Sequence, residues 1–108
     1  MEKQELTIGR EAPANLIIRE GTISRMHAVL RKTPTLGVYL LSDLNSANGT
    51  YVRENGSWVE ADNKVVTLHS QIMLGTHSYI VAELIQRYNS TAPRPIRKEN
   101  GEIEISTF

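Results

Sequence analysis

The 108-residue sequence contains no cysteine. That excludes disulfide staples and every zinc site built on thiolates, and it is compatible with a reducing compartment. An excess of either charge is also missing, since twelve Lys and Arg balance twelve Asp and Glu. The basic surplus of a nucleic-acid module is therefore absent, and any cationic site has to be a local feature. No apolar run approaches the roughly 20 residues that span a bilayer, and the opening Met1-Glu2-Lys3-Gln4-Glu5 has no apolar signal core. A soluble, cytoplasmic protein without direct membrane insertion is the expectation. Its three histidines, His27, His69 and His77, are brought together by no motif, so neither a metal site nor a cofactor is expected.

What the chain does have is punctuation. A length of 108 residues suits one core. Leu6-Thr7-Ile8 alternates and stops at Gly9-Arg10, and Asn15-Leu16-Ile17-Ile18 reads as a second strand behind Pro13. Strands are predicted over 27–32 and 38–43, closed into a hairpin by Thr33-Pro34-Thr35-Leu36-Gly37. Asn48-Gly49 and Asn55-Gly56 are strong turn signals around Thr50-Tyr51-Val52 and before Trp58-Val59. Residues 64–68, 72–74 and 79–85 complete the series, the last of them ambiguous between strand and helix and read here as strand. Short strands at near-regular spacing predict an all-β fold, a sandwich of two mostly antiparallel sheets with a binding site in loops at one edge. The predicted domain covers residues 1–88. Residues 89–108, with Pro93 and Pro95 in a polar stretch, read as a linker or tail, flexible or engaging a neighbour. The alternating Glu102-Ile103-Glu104-Ile105 could add an edge strand within this copy or to another, so self-association through the tail is kept as an expectation.

The polar loops at 23–26 and 45–49 flank the hairpin strands, so the hairpin brings them to one edge. Gly9-Arg10 joins them there, and two guanidiniums, a hydroxyl and a carboxamide suit a phosphate and the peptide backbone beside it. At these residues the chain resembles the forkhead-associated family of phosphothreonine-peptide-binding β-sandwiches. The pattern is Gly-Arg after the first strand, then Ser-x-x-His, then Ser-x-Asn-Gly, met here by Gly9-Arg10, Ser24-Arg25-Met26-His27 and Ser46-Ala47-Asn48-Gly49. The resemblance runs over residues 6–85. It implies that Arg10 and Ser24 contact phosphate, that Asn48 bonds the peptide backbone, and that Arg25 touches phosphate or backbone. Gly9, His27, Ser46, Gly49 and Thr50 are implied to shape the loops. Two departures stand out: Ser70-Gln71 replaces the usual Gly-Asp turn, and Ala47 stands where the family often has Thr or Ser. The second removes a side-chain donor that Arg25 can replace.

The function the resemblance implies is phosphothreonine-dependent binding of a peptide or protein in signalling or assembly. Its alternative is an interaction domain of the same fold that ignores phosphate, as in dimerisation or scaffolding. Ser24, His27 and Asp43 offer the residue types of a hydrolase, but a spacing of three on a loop does not aim an imidazole at a serine, and no nucleophile elbow is present. No catalytic residue is expected.

Overall fold

The structure, a computed structural model, describes residues 4–90, the backbone of residues 96–97 and 103–104, and Phe108. Its elements in chain order are β1 (Glu5–Gly9), β2 (Leu16–Ile17), β3 (Ala28–Lys32), β4 (Val38–Asp43), β5 (Thr50–Glu54), β6 (Ser57–Glu60), β7 (Lys64–Thr67), β8 (Gln71–Leu74), β9 (His77–Ile80), α1 (Val81–Ser90), β10 (Ile96–Arg97) and β11 (Ile103–Glu104). They form a five-stranded sheet in the order β2-β1-β3-β4-β7 and a four-stranded sheet in the order β6-β5-β8-β9. Every pairing within the two is antiparallel except β1 with β2. The expected sandwich is what the chain builds.

Alternation explains which side of each strand is buried. Leu6 and Ile8 of β1, Ala28 and Leu30 of β3, Tyr39 and Leu41 of β4, and Val52, Ile72 and Leu74 of the second sheet belong to one core. Each fully buried Leu or Ile contributes about 1.5–3 kcal/mol, so this core supplies most of the stability that holds the loops in place. The hairpin turn between β5 and β6 is made by Asn55 at φ 50° and Gly56 at φ 81°. Both residues are in the left-handed region that a two-residue hairpin turn requires, which is why Asn-Gly is found there.

The predicted strand over 79–85 is corrected. Only His77–Ile80 is strand; the chain then turns into α1, whose Val81, Leu84, Ile85 and Tyr88 are buried. Those positions follow helical spacing, but the repeat becomes visible only when the window extends past Ile85 to Tyr88. Tertiary bonds fix the switch, because the N–H groups of Val81 and Ala82, unpaired in a first helical turn, donate to the carbonyls of Ser70 (3.0 Å) and Leu68 (3.0 Å). At the Ser70-Gln71 departure Ser70 closes the turn itself: its N–H donates to the Thr67 carbonyl (3.1 Å) and its Oγ accepts from the Thr67 N–H (2.9 Å).

Asn89 and Ser90 close the helix, beyond the predicted boundary at 88. Phe108 stacks on Tyr39 of the same chain with ring centroids 5.6 Å apart, and β10 pairs with β11. The rest of the expectation of a flexible or neighbour-engaging tail falls outside the described residues. Among the described residues no helix is long and apolar enough to cross a membrane.

Candidate functional site

Strand register decides where the polar loops go. Ala28 at the start of β3 lies opposite Asp43 at the end of β4 on one side and Ile8, near the end of β1, on the other. The three connections carrying Arg10, Ser24-Arg25 and Ala47-Asn48 therefore leave the same end of the sheet. Backbone bonds then tie them together: Arg10 N–H to the Ser24 carbonyl (2.9 Å), His27 N–H to Ile8 (2.8 Å), Leu44 N–H to His27 (2.9 Å) and Gly75 N–H to Gly49 (3.0 Å). Gly9 is required by this closeness, since a Cβ there would lie 1.9 Å from the Arg25 carbonyl oxygen. Gly49, at φ 89°, meets a second demand, the left-handed turn that returns the chain into β5.

His27 is fully buried and braces two loops. Its Nδ1 accepts from the Ser24 N–H (2.9 Å), which places the proton on Nε2, and Nε2–H donates to the Gly49 carbonyl (2.7 Å). Both ring nitrogens are thus committed to backbone. Ser24, His27 and Asp43 do not form a relay, because the imidazole meets the main chain of Ser24 and Asp43 bonds elsewhere.

Asp43 is a site organiser that the sequence reading did not assign. Its carboxylate accepts from the Ser46 N–H (2.9 Å), the Ser46 hydroxyl and the Thr50 hydroxyl (2.6 Å), while Ser46 Oγ in turn accepts from the Gly49 N–H (2.8 Å). Burial pushes the Asp43 carboxyl upward, but those hydrogen bonds from Ser46 and Thr50 outweigh it and hold the group below its ordinary value. Ser46 and Thr50 are in this way loop-shaping residues, each through its hydroxyl. The signal that could have found Asp43 is its spacing to Ser46, a carboxylate three residues before a loop N–H and hydroxyl.

Around this frame lies an open cleft of about 290 Å³ lined by Arg10, Ser24, Arg25, Ala47 and Asn48, with residues 21–23 completing its wall. Ser24 Oγ accepts from the Ala47 N–H (2.9 Å), so its own proton is left to donate. Asn48 Nδ2 donates to the Thr22 carbonyl (2.9 Å), and among the described residues its Oδ1 has no partner. Thr22 was not foreseen, and a role played through a backbone carbonyl leaves no mark on residue type. The half-buried Arg10 has no ion-pair or side-chain hydrogen-bond partner among the described residues. Arg25 differs: its Nε lies 3.4 Å from Glu11 Oε1. A second cleft, between Asp43, Glu60 and Asp62, carries acidic groups and does not suit an anion. The first presents an unpaired guanidinium beside a hydroxyl with a free proton, the donor set for an oxyanion, and a carboxamide oxygen that can accept from an extended chain.

A β-sandwich whose loops form such a cleft at one end is an architecture of peptide-recognition modules. The model of the FHA domain matches residues 6–75. The chain is 31% identical to a solved structure from a structural and functional analysis of phosphothreonine-dependent FHA domain interactions, over 74% of this chain and 77% of that one, with a TM-score of 0.59. It is 33% identical to the FhaA FHA domain complexed with the intracellular domain of Rv3910, over 72% and 78%, with a TM-score of 0.56. The FHA domain of the CT664 protein from Chlamydia trachomatis shares the fold at 23% identity, over 74% and 77%, with a TM-score of 0.61. No curated protein matches. The chain belongs to the forkhead-associated family.

Proposed function

We propose that the protein is a non-catalytic module that binds phosphothreonine-containing peptides or proteins in signalling or assembly, with Arg10 and Ser24 on the phosphate and Asn48 on the ligand backbone. One observation carries this reading: Arg10, half-buried and without a counter-ion among the described residues, shares a cleft with a Ser24 hydroxyl whose proton is uncommitted. A dianion supplies what both groups lack. The relative from the study of phosphothreonine-dependent interactions supports it.

Ala47 does not remove the serine from the site, because the Ala47 N–H is spent on Ser24 Oγ and polarises its O–H toward an acceptor. The test is a screen of an oriented phosphothreonine peptide library, followed by titration of the best peptide beside its unphosphorylated and phosphoserine forms. Losing a charged hydrogen bond costs about 1.5–3 kcal/mol, so the unphosphorylated peptide should bind at least about tenfold more weakly. The phosphoserine form should also be weaker, by on the order of 1 kcal/mol for one buried methyl. Equal binding of phosphorylated and unphosphorylated peptides would favour a phosphate-independent interaction domain.

A further inference from the structure

The two arginines of the cleft are not equivalent. Arg10 is half-buried and unpaired among the described residues, whereas Arg25, its side chain 74% exposed, sits 3.4 Å from the carboxylate of Glu11, itself 51% exposed. Glu11 follows Arg10 directly and its carbonyl accepts from the Ala14 N–H (3.2 Å), so the backbone of this short loop fixes where the carboxylate starts. We propose that Glu11 is a built-in competitor for the ligand's phosphate, holding Arg25 until a more strongly charged anion takes it. This rests on the phosphothreonine reading above.

Charge decides what passes this filter. A carboxylate from an acidic peptide would exchange one unit of negative charge for another at Arg25 and gain little. A phosphate carries about −1.5 to −2 and three acceptor oxygens, so it displaces Glu11 with a net gain. Glu11 therefore weakens all anions but penalises singly charged ones in proportion to what they can recover. The pair is exposed to water, which keeps its strength near that of a surface ion pair and makes it readily broken. A stronger, buried pair would have closed the site.

The test is Glu11→Gln, which keeps the side chain's shape and removes its charge, compared with wild type by calorimetry on the tightest peptide from the phosphothreonine library. Phosphopeptide affinity should rise by about two- to fivefold, the range for an exposed ion pair. The same substitution in an Arg25→Ala background should change affinity by less than the error of the measurement. Unchanged affinity would overturn the competitor role, and so would a fall, which would make Glu11 a positioning residue for Arg25. A rise that persists without Arg25 would also overturn it, leaving only a general field effect. Thermal melting of each variant excludes altered folding as the cause. A wild-type protein that binds no peptide of the library would instead remove the phosphothreonine reading, and the inference with it, an outcome distinct from the three above.

Discussion

Replacing Asp43 by Asn tests whether the carboxylate organises the 44–49 loop. The two oxygens of Asp43 divide three donors: Oδ2 takes the Ser46 N–H, and Oδ1 takes the hydroxyls of Ser46 and Thr50. An amide leaves one of these oxygen positions as an NH₂, which faces a donor and repels it. If it sits toward the Ser46 N–H, one charge-assisted bond is lost and a backbone donor is orphaned; if it sits toward the hydroxyls, both must rotate away. Losing one such bond costs about 1.5–3 kcal/mol, which for a domain of this size lowers Tm by roughly 9–18 °C at the middle of that range. Phosphopeptide affinity should fall too, because Ala47 and Asn48 are carried on the same loop.

The pH dependence gives the sharper check. Hydrogen bonds hold the folded Asp43 carboxyl below its ordinary value of 3.8, so near that value the unfolded chain binds more protons than the folded one. Stability from this group is therefore fully present above the unfolded value and is lost as pH falls through the lower, folded one. Urea denaturation of wild type and Asp43→Asn should show a constant gap from about pH 7 to pH 5, narrowing below about pH 4 as wild-type Asp43 becomes protonated and resembles the amide. A gap that keeps its full size under acid, or is absent at neutral pH, would refute the assignment of Asp43 as the ionised centre of the loop.

Two further outcomes follow from the same geometry. Arg10→Ala should weaken the phosphopeptide by about 2 kcal/mol or more and erase most of its advantage over the unphosphorylated peptide, whereas Asn48→Ala should weaken both and leave their ratio near that of wild type; paired calorimetric titrations distinguish the two. Gly9→Ala places a methyl 1.9 Å from the Arg25 carbonyl oxygen, so the loops must separate; the expected cost is about 1–3 kcal/mol in urea denaturation, together with loss of phosphopeptide binding.

Much of this was legible because turn chemistry and strand alternation are local. Asn55-Gly56 announces its hairpin through two left-handed residues, and Leu6 and Ile8 declare a buried face by spacing alone. The hairpin joining β3 and β4 then brings the loops carrying Ser24 and Asn48 together by register, and β1, paired with β3, adds Arg10 at the same end. The helix was not legible in a window ending at Ile85, since its deciding bonds run from Val81 and Ala82 to carbonyls of a turn more than ten residues earlier. Thr22 was hidden because it acts through a carbonyl, and Glu11 because an exposed acidic residue after an arginine reads as ordinary surface until its distance to Arg25 is known.

The division between residues that shape the site and residues that face a ligand follows from counting uncommitted atoms. His27 spends both ring nitrogens on backbone, and Asp43 takes three donors from its own loop, so neither keeps a strong group for a partner. Ser24 accepts from Ala47 and keeps a proton; Asn48 donates to Thr22 and keeps an oxygen; Arg10 donates its backbone N–H to Ser24 and keeps its guanidinium. Ser24 and Asn48 are thus each held by a side-chain bond and present their remaining group from a fixed position, which reduces the ordering entropy a flexible group would lose on binding, whereas Arg10 is anchored through its backbone alone. The remaining groups also differ in sign: the guanidinium and the hydroxyl can only offer protons to an anion, while the carboxamide oxygen can only accept, as a peptide N–H requires. A bare phosphate would satisfy the first two and leave the third unused. The proposed assignment of Arg10, Ser24 and Asn48 thus calls for a phosphate carried on an extended chain, and it rests on this combination of groups more than on the positive charge.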